Sequence, residues 1–138
     1  MPRLTTTLIA LVTLNLLAHG PAPARELPLV EKKTLAIGDL ALDSGGSLAN
    51  VSLAYETYGT LAPDGRNAVL ITHGYTSNQH AAGKYAASDG GPGWWDKLIG
   101  PGKAIDTDRH FVVASNMLGG ANGSTGPRSI DPATGKPY

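Results

Sequence analysis

The 138-residue sequence predicts an α/β fold whose sheet begins with an antiparallel pair of strands and continues with parallel ones. Three observations carry that expectation. Leu48 to Tyr58 alternates with a period of two, the mark of a half-buried strand. Ala68 to Thr72 and Phe111 to Ser115 are short, continuously apolar runs rich in β-branched residues, as in parallel strands covered on both faces. Polar, turn-rich stretches separate these runs, with room for crossovers.

Composition narrows the chemistry. Lys plus Arg equals Asp plus Glu at 11 each, which argues against a nucleic-acid binder relying on a basic face and against an acidic disordered tail. Gly and Pro number 18 and 10, high for a globular chain but without a collagen-like period. Having no cysteine, the chain has no disulfide scaffold, no cysteine zinc site and no thiol nucleophile.

Along the chain, Arg3, the apolar run Leu4 to Leu17 and the small-x-small site Ala22-Pro23-Ala24 form the pattern of a secretory signal peptide over residues 1–24. The run is short for a bilayer span, which takes roughly 20 residues. An exported protein, periplasmic or secreted, with no stable membrane anchor after cleavage is the expectation. Residues 25–138 then form the domain. Thr34 to Leu42 reads as a strand, closed by the turn cluster Asp43 to Ser47. In the alternating strand, Val51, Leu53, Tyr55 and Thr57 share one face, and Asn50, Ser52, Ala54 and Glu56 the other. Pro63-Asp64-Gly65 turns the chain into Ala68 to Thr72. Trp94 to Ile99 has apolar positions four apart and predicts a turn and a half of helix, stopped by Gly100-Pro101-Gly102. The turn Asp106 to Arg109 leads into Phe111 to Ser115. Beyond Gly119 no strand or helix signal remains, so four strands are legible.

Several motifs fail in detail. Gly119 to Gly126 is glycine-rich, but no Lys-Ser or Lys-Thr stands where a phosphate loop needs it, and a tightly turned loop beside a site fits better. Asp106 and Asp108 begin like a calcium loop, yet His110 takes the third ligand position and Met117 the twelfth. His73, His80 and His110 lack the spacing of a zinc site, so no metal and no cofactor are expected. The informative stretch is Val69 to Tyr75, a buried strand ending in His73-Gly74. A main-chain N–H just after such a strand can point at the oxygen that becomes negative during acyl transfer, and glycine keeps a side chain out of the way.

From about Leu42 to Tyr138 the sequence resembles the homoserine O-acetyltransferase family of the α/β-hydrolase superfamily. The matching segments are Ala54 to Leu61, Asn67 to Leu70, Pro92 to Asp96, Leu98 to Lys103, Asp106 to Arg109, Ser115 to Gly120, Gly123 to Pro127 and Asp131 to Tyr138. The resemblance implies acyl transfer by a Ser-Asp-His triad, with acetyl-CoA as donor and homoserine as acceptor. His73-Gly74-Tyr75 stands where the family has His-Ala-Leu, so the Tyr75 N–H, with Gly74 adjacent, is the candidate oxyanion donor. Asn116 to Gly126 matches a family segment whose residue roles the resemblance does not assign.

Two departures modify that implication. No Gly-x-Ser-x-Gly elbow occurs in the 138 residues, and the triad Asp and His come later in the family's order; the chain reads as the N-terminal part of a longer enzyme. The leader and Gly74-Tyr75 also depart from the family. Acetyl-CoA is a cytosolic metabolite, so an exported relative is expected to hydrolyse esters or to use other acyl donors. An inactive truncated product is the third reading, and a chain lacking later strands is expected to be poorly folded and prone to association.

Overall fold

The computed structural model describes residues 25–138. The leader expected over residues 1–24 lies outside the described residues. Among those that are described, no helix is long and apolar enough to cross a membrane.

Six strands form in chain order: β1 (Lys33–Ala41), β2 (Ser47–Tyr58), β3 (Ala68–Thr72), β4 (Ile99–Gly100), β5 (Ile105–Asp106) and β6 (Phe111–Ser115). The main sheet has the order β1-β2-β6-β3. β1 and β2 form the expected antiparallel hairpin, with register shifts on either side of Gly38. β3 and β6 pair in parallel from Ala68 with Phe111 to Thr72 with Ser115. β6 also runs antiparallel to β2, from Tyr55 with Ser115 to Tyr58 with Val112. β6 is thus inserted between β2 and β3, a placement that no local pattern contains.

One face of the sheet carries the core. Tyr58, Ile71, Val112 and Ala114 pack with Ala81, Ala82 and Ile99 from the segment that crosses from β3 to β6. The opposite face is open among the described residues, and Leu70 is 65% exposed. Among the described residues β3 is therefore covered on one face and not on both as expected, because the crossing segment lies on a single side. Within β2 the buried positions change parity. Val51 is buried, but beyond it the buried residues are Ala54, Glu56 and Tyr58. The face with Leu53 and Tyr55 is only half-buried. The change follows the hairpin irregularity near Gly38, where Asn50 takes a left-handed φ of 52°.

The helix predicted over Trp94 to Ile99 is a single hydrogen-bonded turn. Ile99 N–H donates to the Trp95 carbonyl at 3.0 Å, after which Ile99 enters β4 and pairs in parallel with Ile105. Tertiary contacts claim these residues first. Gly93 lies so close to Ala81 and Ala82 that a β-carbon there would sit 2.3 Å from the Ala82 nitrogen. Trp95 N–H donates to the Ala81 carbonyl at 2.7 Å.

Candidate functional site

Because Thr72 and Ser115 are register partners, the next residues of both strands emerge side by side at the same end of the sheet. These are His73 and Asn116. His73 Nε2 lies 3.0 Å from Asn116 Oδ1, and its Nδ1 lies 2.7 Å from the Gly74 carbonyl oxygen. The Gly74 carbonyl also accepts from Ser77 N–H at 3.0 Å, closing a tight turn over residues 74–77. Tyr75 projects from this turn with 94% exposure. Its N–H meets no acceptor among the described residues and lies outside the strand ladder. Gly74 has open space where a β-carbon would stand, so nothing within the described residues requires glycine there.

The same loop is held further along by a buried polar cluster that sequence reading missed. Glu56, on the core face of β2, is fully buried. Its Oε2 accepts from the Tyr58 hydroxyl at 2.7 Å, and its Oε1 from the Tyr85 hydroxyl at 2.5 Å. His80 Nδ1 stands 3.2 Å from Oε2, and the His80 ring stacks on Tyr85 with centroids 4.1 Å apart. The Tyr58 oxygen in turn accepts from the Ala81 and Ala82 N–H groups at 3.1 and 3.0 Å. Burial pushes the Tyr58 phenol far above the ordinary tyrosine range, and the neighbouring Glu56 carboxylate pushes the same way. Burial and Glu56 raise Tyr85 likewise, against a smaller opposing contribution from the Gln79 amide. The sequence held no signal for this cluster, because the alternation of β2 sets Glu56 on the polar face with Asn50 and Ser52, and only the change of buried parity after Val51 turns it inward. A buried carboxylate needs such partners.

The glycine-rich segment has a local structural job. Asn116 N–H donates to the Ala54 carbonyl at 2.9 Å. Ser124 Oγ accepts from Ala54 N–H and Thr125 Oγ1 from Ser52 N–H, both at 3.0 Å. Thr125 N–H donates to the Ser52 carbonyl at 2.9 Å. The segment thus extends the pairing of β2 beyond the end of β6. Amides of Gly119, Gly120, Thr125 and Gly126 are engaged within the protein, in keeping with a tightly turned loop. Ser124 Oγ is buried against main chain, which places it as a linker between loop and sheet.

The histidines weighed as metal ligands go separate ways: His73 to Asn116, His80 to Glu56, and His110 to the approach to β6. No group of three or more His, Cys, Asp or Glu side chains able to hold a metal occurs among the described residues. Asp106 Oδ1 accepts from the Gly102 and Asp108 N–H groups at 2.9 and 3.0 Å, which organises the turn before β6. Those bonds hold its carboxyl below the usual range.

No family model matches the chain. The chain is 58% identical over 116 residues to a homoserine O-succinyltransferase of Halothiobacillus neapolitanus, a match covering 83% of this chain and 29% of that protein. Among solved structures it is similar to esterase E22, with a TM-score of 0.75 and 45% identity over 80% of this chain and 32% of that one. It is also similar to the homoserine O-acetyltransferase from Bacillus anthracis, with a TM-score of 0.75 and 42% identity over 81% of this chain and 31% of that one. The chain spans about three-tenths of the length of the curated relatives it matches. Its mixed sheet is part of an α/β-hydrolase fold, and its sequence relatives include homoserine O-acyltransferases.

Proposed function

We propose that this chain forms the part of a homoserine O-acyltransferase-like enzyme that supplies the first strands of the sheet and one oxyanion donor, the Tyr75 N–H. The observation that carries the reading is that this N–H meets no acceptor among the described residues, in the turn just after β3 and beside the end of its parallel partner β6. A donor left without an internal partner is available to an oxygen that gains charge in the transition state. On this reading the acyl group passes from donor to a serine and then to the homoserine hydroxyl, releasing the donor's thiol in the first step. The serine and its Asp and His partners are encoded outside these 138 residues. The donor on this reading is acetyl-CoA or its succinyl counterpart, since the chain is similar to relatives of either name.

A second reading, an ester hydrolase in which water replaces homoserine, is favoured by the likeness to esterase E22 and by the leader pattern over residues 1–24. Export to the periplasm or medium belongs to this reading, because acyl-CoA is a cytosolic donor. The full-length protein assayed with homoserine plus acetyl- or succinyl-CoA, and separately with p-nitrophenyl esters, decides between them. O-acyl-homoserine formation supports the transferase; ester cleavage alone supports the hydrolase; neither activity refutes both and leaves an inactive product.

A further inference from the structure

The pair joining the ends of β3 and β6 has a fixed hydrogen count. Asn116 is 3% exposed, and its amide fits in one orientation only. Its Oδ1 accepts from Met117 N–H at 3.0 Å, while its Nδ2 donates to the Ala121 carbonyl at 2.5 Å. Both partners are main-chain groups, an N–H that can only donate and a carbonyl that can only accept. The orientation therefore follows from fixed roles.

His73 Nε2 faces that same Oδ1 at 3.0 Å. An amide oxygen has no hydrogen to offer, so Nε2 must carry one. Nδ1 faces the Gly74 carbonyl oxygen at 2.7 Å, another pure acceptor, so Nδ1 must carry one too. A neutral imidazole has a single N–H. With a neutral ring, one nitrogen lone pair would face an oxygen lone pair within hydrogen-bonding distance.

We propose that His73 is a doubly protonated, positively charged clamp between the ends of β3 and β6 and, resting on the function proposed above, a positioning residue for the Gly74–Tyr75 turn. The 74–77 turn, through the Gly74 carbonyl, and the segment after β6, through Asn116 Oδ1, supply the ring's polar partners, both of them uncharged. Among the described residues no carboxylate forms an ion pair with the ring. The ring is half-buried, so water and these two carbonyl-type oxygens share the task of solvating the charge. The clamp holds the Gly74 carbonyl back toward the strand end, which leaves the next N–H, that of Tyr75, facing outward. An anionic group approaching that N–H also meets the field of the cation two residues earlier.

The test is nitrogen-15 NMR of the full-length protein labelled at histidine, with His73 assigned from the signals missing in His73→Gln. At pH 7 a free imidazole, with its pKa of about 6.5, is mostly neutral. Both His73 ring nitrogens are expected at the protonated position, and Asn116→Leu is expected to return the ring to one N–H. A neutral tautomer in the unsubstituted protein at pH 7 overturns the clamp, even if Asn116→Leu fails to fold. For the positioning role, His73→Gln is expected to lower kcat about 10-fold with KM within about twofold, the pattern of an interaction expressed in the transition state. An unchanged kcat overturns that role. A neutral His73 in an active acyltransferase sinks the clamp alone, whereas a cationic His73 in a protein without acyl transfer sinks only the functional reading.

Discussion

The Tyr85 hydroxyl donates to Glu56 Oε1 at 2.5 Å, tying the loop beyond β3 to a carboxylate buried on β2, 29 positions earlier in the chain. Glu56 touches Tyr58, His80 and Tyr85 together. The cluster and the His73–Asn116 pair hold the same loop at two places, one on each side of the exposed Tyr75.

Removing the shared acceptor is expected to cost more than removing one donor. Glu56→Ala strands two hydroxyls and a ring nitrogen, a loss of about 3–5 kcal/mol. Tyr85→Phe removes one charge-assisted bond, about 1.5–3 kcal/mol. Denaturant titrations of the three proteins check the order, and an equal loss from both substitutions contradicts the shared-acceptor account.

Alkaline pH is expected to weaken the fold through the same cluster. Tyr58 and Tyr85 bind their protons more tightly in the folded state than in the unfolded chain, where tyrosine titrates near pH 10. Their stabilising contribution is complete below about pH 10 and declines above it, as the unfolded chain releases protons that the folded one keeps. Denaturant midpoints are expected to be unaffected by these two groups from pH 8 to about pH 10 and to fall above it, with a shallower fall in Tyr58→Phe.

Two glycines offer opposite outcomes. A β-carbon at Gly93 meets the Ala82 nitrogen at 2.3 Å and the Ala81 carbonyl carbon at 2.4 Å. Main chain cannot yield as a flexible side chain does, so Gly93→Ala is expected to destabilise by about 3 kcal/mol or more. Gly74 has nothing within 4 Å, and Gly74→Ala is expected to stay within about 0.5 kcal/mol. Thermal melts of both variants make the comparison.

Ser124 is a structural hydroxyl. Its Oγ accepts from the Ala54 N–H at 3.0 Å, so Ser124→Ala leaves that buried donor unpaired at a cost of about 1–3 kcal/mol. In the full-length protein the variant is expected to keep its acyl-transfer or esterase rate at a temperature where it remains folded. Complete loss of that rate in folded protein would instead mark Ser124 as the nucleophile.

Strand identity was legible from local pattern. The antiparallel hairpin and the runs Ala68 to Thr72 and Phe111 to Ser115 each advertise themselves through neighbouring residues, because a strand's side chains alternate every two positions. The exposed turn after His73 was legible for the same reason, with a polar stretch following an apolar one. The two-residue strands β4 and β5 were not, being too short to show a period.

What the sequence determined by itself is where the four longer strands run and where they stop. Tertiary structure decided the insertion of β6 between β2 and β3, the parity of the buried face of β2, and the meeting of His73 with Asn116 across 43 positions. It likewise decided that Glu56 lies inside, among donors brought from the far loop. The physical reason is range: alternation is a property of adjacent residues, whereas a buried charge and a ring nitrogen acquire their partners only when distant segments close around them.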